Sequence, residues 1–159
     1  MRLRRASTDS WELRDLHPLL ATFLTELPKV DARHKKAQAR LYPDPIDGAT
    51  DEEFRRDWKE HVRPELQRLF AASRDIVARD LSAPAAHNLG VKVVIPGAHL
   101  EAWLNALNQA RLVIVEENNF TEDDLDHREP PDLATQRGLS LLKIHFYGHL
   151  QELLVEAAG

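Results

Sequence analysis

The sequence predicts a mainly helical domain, a compact bundle of four to five helices around a central helix, with a β-hairpin and a short strand as a small appendage. The chain has 159 residues, 43% of them hydrophobic and 30% charged, which is typical of one ordinary globular domain. Apolar residues recur at helical spacing in several long segments. Strand patterns are confined to residues 2–14 and 90–96. We therefore predict a single domain over residues 1–159.

The N-terminal segment predicts a hairpin followed by a helix. Residues 2–14 suggest two short strands around "STDS", and their inward side chains would be Leu3, Trp11 and Leu13. Asp15 is placed to cap a helix that starts near Leu16, with Pro18 tolerated in its first turn. Pro28 ends this helix. Its apolar residues are Leu19, Leu20, Phe23, Leu24 and Leu27.

The middle of the chain predicts a surface connection over residues 29–50 and then a long helix. Thr50 would cap this helix, with Glu53 three residues later as in a capping box. Pro64 predicts either a kink or a division into two helices, because proline removes one hydrogen bond of the helix. One face of the long helix carries Phe54, Trp58, Val62, Leu66, Leu69, Ser73, Ile76 and Val77.

The segment "EAWLNALNQARLVIVEENN", residues 101–119, predicts the central helix. Helical spacing places one stripe of apolar side chains on it, flanked by Ala106 and Val113. Leu112 points in a third direction, so that apolar groups face nearly all round, as in a helix packed on several sides. The stripe consists of Trp103, Leu107, Ala110 and Ile114.

Three elements complete the predicted fold. The β-branched stretch "GVKVVIP", residues 90–96, fits a strand that joins the hairpin. Thr121 is placed to cap a brief helical turn over residues 122–125. The last helix is predicted from about Leu133 to Val155.

Asn108 and Arg111 are the polar residues of the central helix that need an explanation. They are neighbours at the edge of the apolar stripe, and a buried polar group without a partner costs roughly 1–3 kcal/mol. In one interpretation Arg111 pairs with a carboxylate from another helix, and Asn108 holds a loop or strand backbone. In the other, these residues with Trp103 line a groove where the backbone or a carboxylate of a partner protein docks. The sequence leaves both open.

The string "WLNALNQARLVI" resembles the signature of an uncharacterised family, best known in actinobacteria and labelled only as a domain of unknown function (DUF2017). "RLYPDP" ahead of "DEEFRRDW" resembles the middle section of that family, and "YGHLQELLVEA" its terminal helix. Gln109 departs from the pattern, which commonly has aspartate there. The resemblance implies no established enzymatic activity. Genes of this family often lie near the gene of an adaptor for the Clp protease, which implies at most a regulatory or proteostatic setting. The signature positions are Trp103, Leu104, Ala106, Leu107, Asn108, Arg111 and Leu112.

The best catalytic pattern is in the last helix, where His145, His149 and Glu152 share a face and have the side chains that bind zinc. The glutamate that metalloprotease helices place next to the first histidine is absent, since Phe146 stands there. The chain has no cysteine and no phosphate-binding glycine loop, so we expect no cofactor. These residues make a metal-dependent hydrolase the alternative to a non-enzymatic function.

Charge and hydropathy restrict the partners. The formal net charge of −5 opposes nucleic-acid binding, and the basic stretches at residues 2–5 and 33–40 are typical of solvated surface. No segment has the length and apolar character of a membrane span, so we expect a cytoplasmic protein that folds alone or as a homodimer. We predict a regulatory or protein-interaction domain that binds another protein near Arg111 or along the helix bearing Phe54 and Trp58.

Overall fold

A computed structural model describes residues 1–44, 51–82, 85–87, 90–126 and 129–159, and it confirms the predicted mainly helical fold with a small strand appendage. In this part of the chain the helices are α1 (Pro18–Glu26), α2 (Lys35–Leu41), α3 (Glu52–Asp57), α4 (Arg63–Leu81), α5 (Leu100–Asn118), α6 (Glu122–Asp126) and α7 (Gln136–Ala158). The strands are β1 (Arg2–Ser7), β2 (Ser10–Leu16), β3 (Ala85–His87) and β4 (Gly90–Pro96).

The predicted hairpin and strand form one antiparallel sheet with the order β1-β2-β4-β3. Leu13 lies opposite Leu3 in the hairpin and opposite Val93 on β4. Side chains alternate across a strand, so one face of the sheet collects the apolar positions and packs against the helices. Of the side chains predicted to face inward, Leu13 is buried, and Leu3 and Trp11 are half-buried; Val93 and Ile95 of β4 are buried as well.

The cap of α1 differs from the prediction. His17 precedes the helix, and its Nδ1 accepts a hydrogen bond from the backbone N–H of Leu19 at 3.2 Å, while Pro18 occupies the first helical position as expected. Asp15 instead adopts a left-handed conformation with φ of 57° where the chain leaves the sheet. Aspartate tolerates this conformation better than most residues. Its carboxylate lies 3.6 Å from Arg2 Nε, so that it joins the two strands.

The interruption predicted at Pro64 is a π-helical turn over Trp58–Val62 that joins α3 to α4 in one continuous rod. Pro64 has no N–H to donate to the carbonyl four residues earlier, and the wider turn accommodates this loss. The predicted cap Thr50 lies outside the described residues. Asp51 caps α3 through a hydrogen bond from the N–H of Phe54 at 3.1 Å.

Helix α5 is central, as predicted, and packs against α2, α4 and α7. The predicted stripe and its flanks are buried. The helix ends at Asn119, which has the left-handed conformation that closes many helices, with φ of 50°. The buried residues of α5 are Ala102, Trp103, Ala106, Leu107, Gln109, Ala110, Val113 and Ile114.

The last two helices are each capped by a threonine. Thr121 precedes α6, as predicted, and its backbone N–H donates to Asp124 Oδ2 at 2.8 Å while its hydroxyl accepts from the Asp124 N–H. Helix α7 begins at Gln136 rather than near Leu133, because Thr135 caps it by accepting from the N–H of Gly138 at 3.0 Å. The preceding residues form the turn that brings the chain into this cap.

Tyr147 of α7 joins this helix to α1, and we expect Tyr147→Phe to lower the free energy of unfolding by about 1 kcal/mol. Its ring is fully buried, and its hydroxyl donates to the carbonyl of Phe23 at 2.6 Å. Burial, with the nearby Glu26 carboxylate, raises the pKa of this hydroxyl far above its ordinary value of 10.0. Denaturation of both proteins in urea near neutral pH measures the difference.

The same pKa shift gives a pH dependence. Between the ordinary pKa of 10.0 and the raised one, the folded state keeps the Tyr147 proton that the unfolded state loses. The stability from this proton is therefore complete below pH 10 and falls as the pH rises above it. Wild type should lose stability above pH 10 more steeply than Tyr147→Phe, and equal slopes would contradict the buried environment of this hydroxyl.

Candidate functional site

The described surface contains a groove between α5, α6 and α7, with Arg111 at its base. It consists of two adjoining depressions of about 400 and 450 Å³, both of which Arg111, Gly148 and Glu152 line. We call it the Arg111 groove. Its other lining residues are Leu125, Asp126, Ile144, His145, His149, Gln151, Val155 and Glu156.

Gly148 allows the Arg111 guanidinium to lie directly against helix α7. A β-carbon at position 148 would lie 3.4 Å from Arg111 Cζ and 3.5 Å from its Nη2. Glycine inside a helix costs about 0.5–1 kcal/mol relative to alanine, but here it leaves the surface of the guanidinium uncovered. The groove therefore owes its depth to this one missing side chain.

Only one nitrogen of the Arg111 guanidinium has a protein partner in the described part of the chain. Nη1 donates to Gln151 Oε1 at 2.7 Å, and Gln151 Nε2 donates in turn to the carbonyl of Leu104 at 3.3 Å. Nε is buried without an acceptor. No carboxylate oxygen of a described residue lies within ion-pair distance, so the guanidinium is held in place by an amide and not by a direct ion pair.

The structure separates the three residues that the sequence put forward as partner-binding. Arg111 lies in the groove. Asn108, one helical turn earlier, is exposed, and nothing in the described chain hydrogen-bonds to its side chain. Trp103 is fully buried in the core, out of reach of a partner of the folded domain. The carboxylate that the architectural interpretation assigned to Arg111 is replaced by the amide of Gln151.

The residues of the alternative metal site line the same groove. His145, His149 and Glu152 share the outer face of α7 and are all exposed. His149 Nδ1 lies 3.8 Å from Glu152 Oε2. Across the described ranges, however, no three histidine, aspartate or glutamate side chains come together closely enough to hold a metal ion.

Asp80 and His99 form a polar cluster with Trp103 that the sequence analysis missed. The Trp103 indole donates to Asp80 Oδ2 at 2.8 Å, and His99 Nδ1 lies 2.9 Å from Asp80 Oδ1. The Asp80 side chain is only 8% exposed. No hydroxyl in the described residues hydrogen-bonds to His99, as a nucleophile would, so the cluster joins the end of α4 to the start of α5. Asp80 and His99 lie near helix ends, where no periodic pattern marks them.

Gln109 is the polar residue of α5 that is buried, at 2% exposure. Its Oε1 accepts from Arg74 Nη1 at 2.8 Å, and Arg74 Nη2 lies 3.8 Å from Asp31 Oδ1. Its Nε2 is buried without a partner. The network joins α4 to α5 and to the segment before α2, so it carries the architectural role that the sequence analysis gave to Asn108.

A further depression of about 530 Å³ lies between α5, α7 and the end of α1. Its charges are balanced, and the Lys143 ammonium donates to Glu26 at 2.5 Å. It therefore offers no net charge to a ligand. The charged lining residues are Glu26, Lys29, Asp31, Arg33, Glu117 and Lys143.

Comparison with known proteins finds one family. The family model described as "Domain of unknown function (DUF2017)" matches residues 3–158, nearly the whole chain. The search of curated proteins and the search of solved structures found no match. None of the described helices combines the length and the apolar character needed to cross a membrane.

Proposed function

We propose that this chain, which belongs to the DUF2017 family of unknown function, is a non-enzymatic protein-interaction domain with a regulatory role in the cytoplasm. The Arg111 groove binds the partner. The observation that carries the proposal is the Arg111 guanidinium, which lies at the base of a groove without a carboxylate partner in the described residues and has only Nη1 bonded.

The chemistry of Arg111 favours an oxygen atom of the partner as its ligand. Nη1 is held by Gln151, so the guanidinium is already oriented and Nη2 remains available to donate. A carboxylate or a backbone carbonyl would accept this hydrogen bond, and a charge-assisted bond contributes about 1.5–3 kcal/mol. Binding would then complete an interaction that the domain itself leaves open.

The remaining lining favours a partner with basic residues around that oxygen. Asp126, Glu152 and Glu156 place three carboxylates along the groove. Val155 is 58% exposed and adds an apolar side chain to the lining of the groove. Complementary charge selects partners and speeds association, whereas apolar contact contributes affinity. The hydrolase alternative has no set of metal ligands in the described residues to support it.

Photo-crosslinking in the native cell tests the proposal. A photoreactive residue at Glu152 or Val155 of the groove should capture one defined protein. The same residue at Val94, which is exposed on the sheet, serves as the matched control. Equal capture from Val94, or no specific product from the groove positions, would count against the proposal.

For the captured partner in purified form, we expect Arg111→Lys to lower the affinity about tenfold or more. Lysine keeps the positive charge but cannot donate through a planar fork. Gly148→Ala should weaken binding similarly, because its methyl group covers the guanidinium at van der Waals distance. Gly148→Ala should also raise the melting temperature, since alanine favours the helix. Isothermal titration calorimetry measures both affinities, and unchanged affinity in both variants would exclude the groove as the binding site.

A further inference from the structure

The rod formed by α3, the π-helical turn and α4 exposes an apolar face, which we call the rod face and define by Phe54, Trp58 and Leu69. Phe54 is 45% and Leu69 46% exposed, although large apolar side chains at this helical spacing usually face a core. Other exposed large apolar residues of the described chain, such as Val94 and Leu133, lie on separate elements. The rod face therefore belongs to one element, with the exposed polar residues His61 and Glu65 between Trp58 and Leu69.

The beginning of the rod has little support from the rest of the domain. No residue of α3 is buried. Trp58 is half-buried, and its Nε1 is enclosed without a hydrogen-bond acceptor. Helix α3 is therefore helical as an extension of α4 through the π-helical turn, and not through packing of its own, since a separate segment of six residues recovers too little for the cost of nucleation. A surface of this kind is typical of a helix that packs against a partner.

The charges beside the rod face are segregated by sign. At about 100° per residue, Glu53 and Asp57 lie on one side of the line from Phe54 to Trp58, and Arg55 and Lys59 lie on the other. No ion pair to another described residue involves any of these four side chains. Next to Phe54 and Trp58 one flank is thus acidic and the other basic, while Glu52 lies further round the helix on the basic side.

This arrangement is complementary to itself in one orientation. When two identical helices lie side by side and parallel, each flank of one meets the opposite flank of the other. In an antiparallel pair the same flanks meet, so acidic residues would face acidic residues. We propose that the rod face binds the rod face of a second copy of this chain, in parallel about a two-fold axis along the rod.

The area available sets the expected strength of the dimer. The stretch from Glu52 to Leu69 is ~27 Å long at about 1.5 Å per residue. One such helix pair buries on the order of 1,200 Å², the low end for stable interfaces. The dimer is therefore reversible and depends on protein concentration. It does not involve the Arg111 groove, so each surface can be tested without the other.

Sedimentation equilibrium from micromolar to near-millimolar concentration measures the dimer directly. Wild type should change from 18.1 kDa to twice that mass as the concentration rises. Phe54→Glu should remain monomeric, whereas Leu133→Glu, an exposed apolar position on another segment, should behave as wild type. A wild type that is monomeric throughout, or a Phe54→Glu variant that dimerises normally, would overturn the proposal.

Charge reversal distinguishes pairing of two copies through these flanks from other contacts. One variant carries Arg55→Glu with Lys59→Glu, and the other carries Glu53→Lys with Asp57→Lys. Each should be monomeric alone, because both of its flanks then have the same sign. An equimolar mixture should form a heterodimer that weakens with salt. If the mixture stays monomeric, or if either variant dimerises alone, the proposed pairing is wrong. Circular dichroism should show unchanged helix content, since all four residues are exposed.

Discussion

Gly138→Ala is expected to destabilise the domain by about 3 kcal/mol, although alanine usually strengthens a helix. A β-carbon at position 138 would lie 1.9 Å from the carbonyl oxygen of Asp132 and 2.6 Å from its carbonyl carbon. That carbonyl cannot easily move, because it accepts hydrogen bonds from the N–H and the hydroxyl of Thr135 at 3.1 and 2.9 Å. The substitution must therefore displace the cap of α7.

Urea denaturation of Gly138→Ala beside Gly148→Ala measures this effect with a matched control on the same helix. At position 148 the nearest atoms to the β-carbon belong to the flexible Arg111 side chain, at 3.4 Å and beyond. We expect Gly148→Ala to be stabilised by about 0.5–1 kcal/mol. If both variants were stabilised equally, the turn at Asp132 would be able to move away from the new methyl group without lowering the free energy of unfolding.

The apolar periodicity of the sequence was sufficient to predict most of the fold. The stripe of α5, the hairpin and its pairing with residues 90–96 all follow from which positions are apolar. Helix ends were less predictable, because neighbouring polar residues compete for the same cap. Asp15 and His17 are both close enough to the start of α1 to cap it, and in the structure Asp15 still belongs to β2 and His17 is the cap.

The position of polar residues on α5 depended on tertiary packing. The sequence placed Asn108 and Arg111 at the edge of the stripe, but it could not show which side α4 would cover. In the structure α4 covers Gln109, whose amide bonds to Arg74, and Asn108 remains exposed. A helical wheel gives directions around one helix, whereas burial also depends on where the neighbouring helices pass.

The candidate site was predictable only in parts. Arg111 and the residues His145, His149 and Glu152 were identified separately, and the sequence contained no indication that α5 and α7 bring them into one groove. The contact depends on the close approach at Gly148, which a single glycine in a helical pattern does not reveal. Residues on different helices come together through packing, and their spacing along the chain does not predict that contact.

Trp103→Ala is expected to cost about 3–5 kcal/mol and to have the largest effect of any substitution considered for this domain. The indole is fully buried among residues of the main core, and its N–H donates to Asp80 at 2.8 Å. Removal of the ring leaves a cavity at the centre of the fold and a nearly buried carboxylate with one donor fewer. Equilibrium denaturation gives the total loss.

Trp103→Phe separates the two contributions, because phenylalanine keeps much of the apolar volume and removes the donor. We expect a loss of about 2 kcal/mol in the wild-type background, since the hydrogen bond has a charged acceptor, and a smaller loss in Asp80→Ala, where the acceptor is already absent. The difference is the coupling energy of the hydrogen bond, about 1–2 kcal/mol for residues in direct contact. Additive losses would mean that the hydrogen bond from Trp103 to Asp80 contributes no stability and that Asp80 interacts effectively with His99 alone. Trp103 would then stabilise the α4–α5 junction only through the packing of its indole ring.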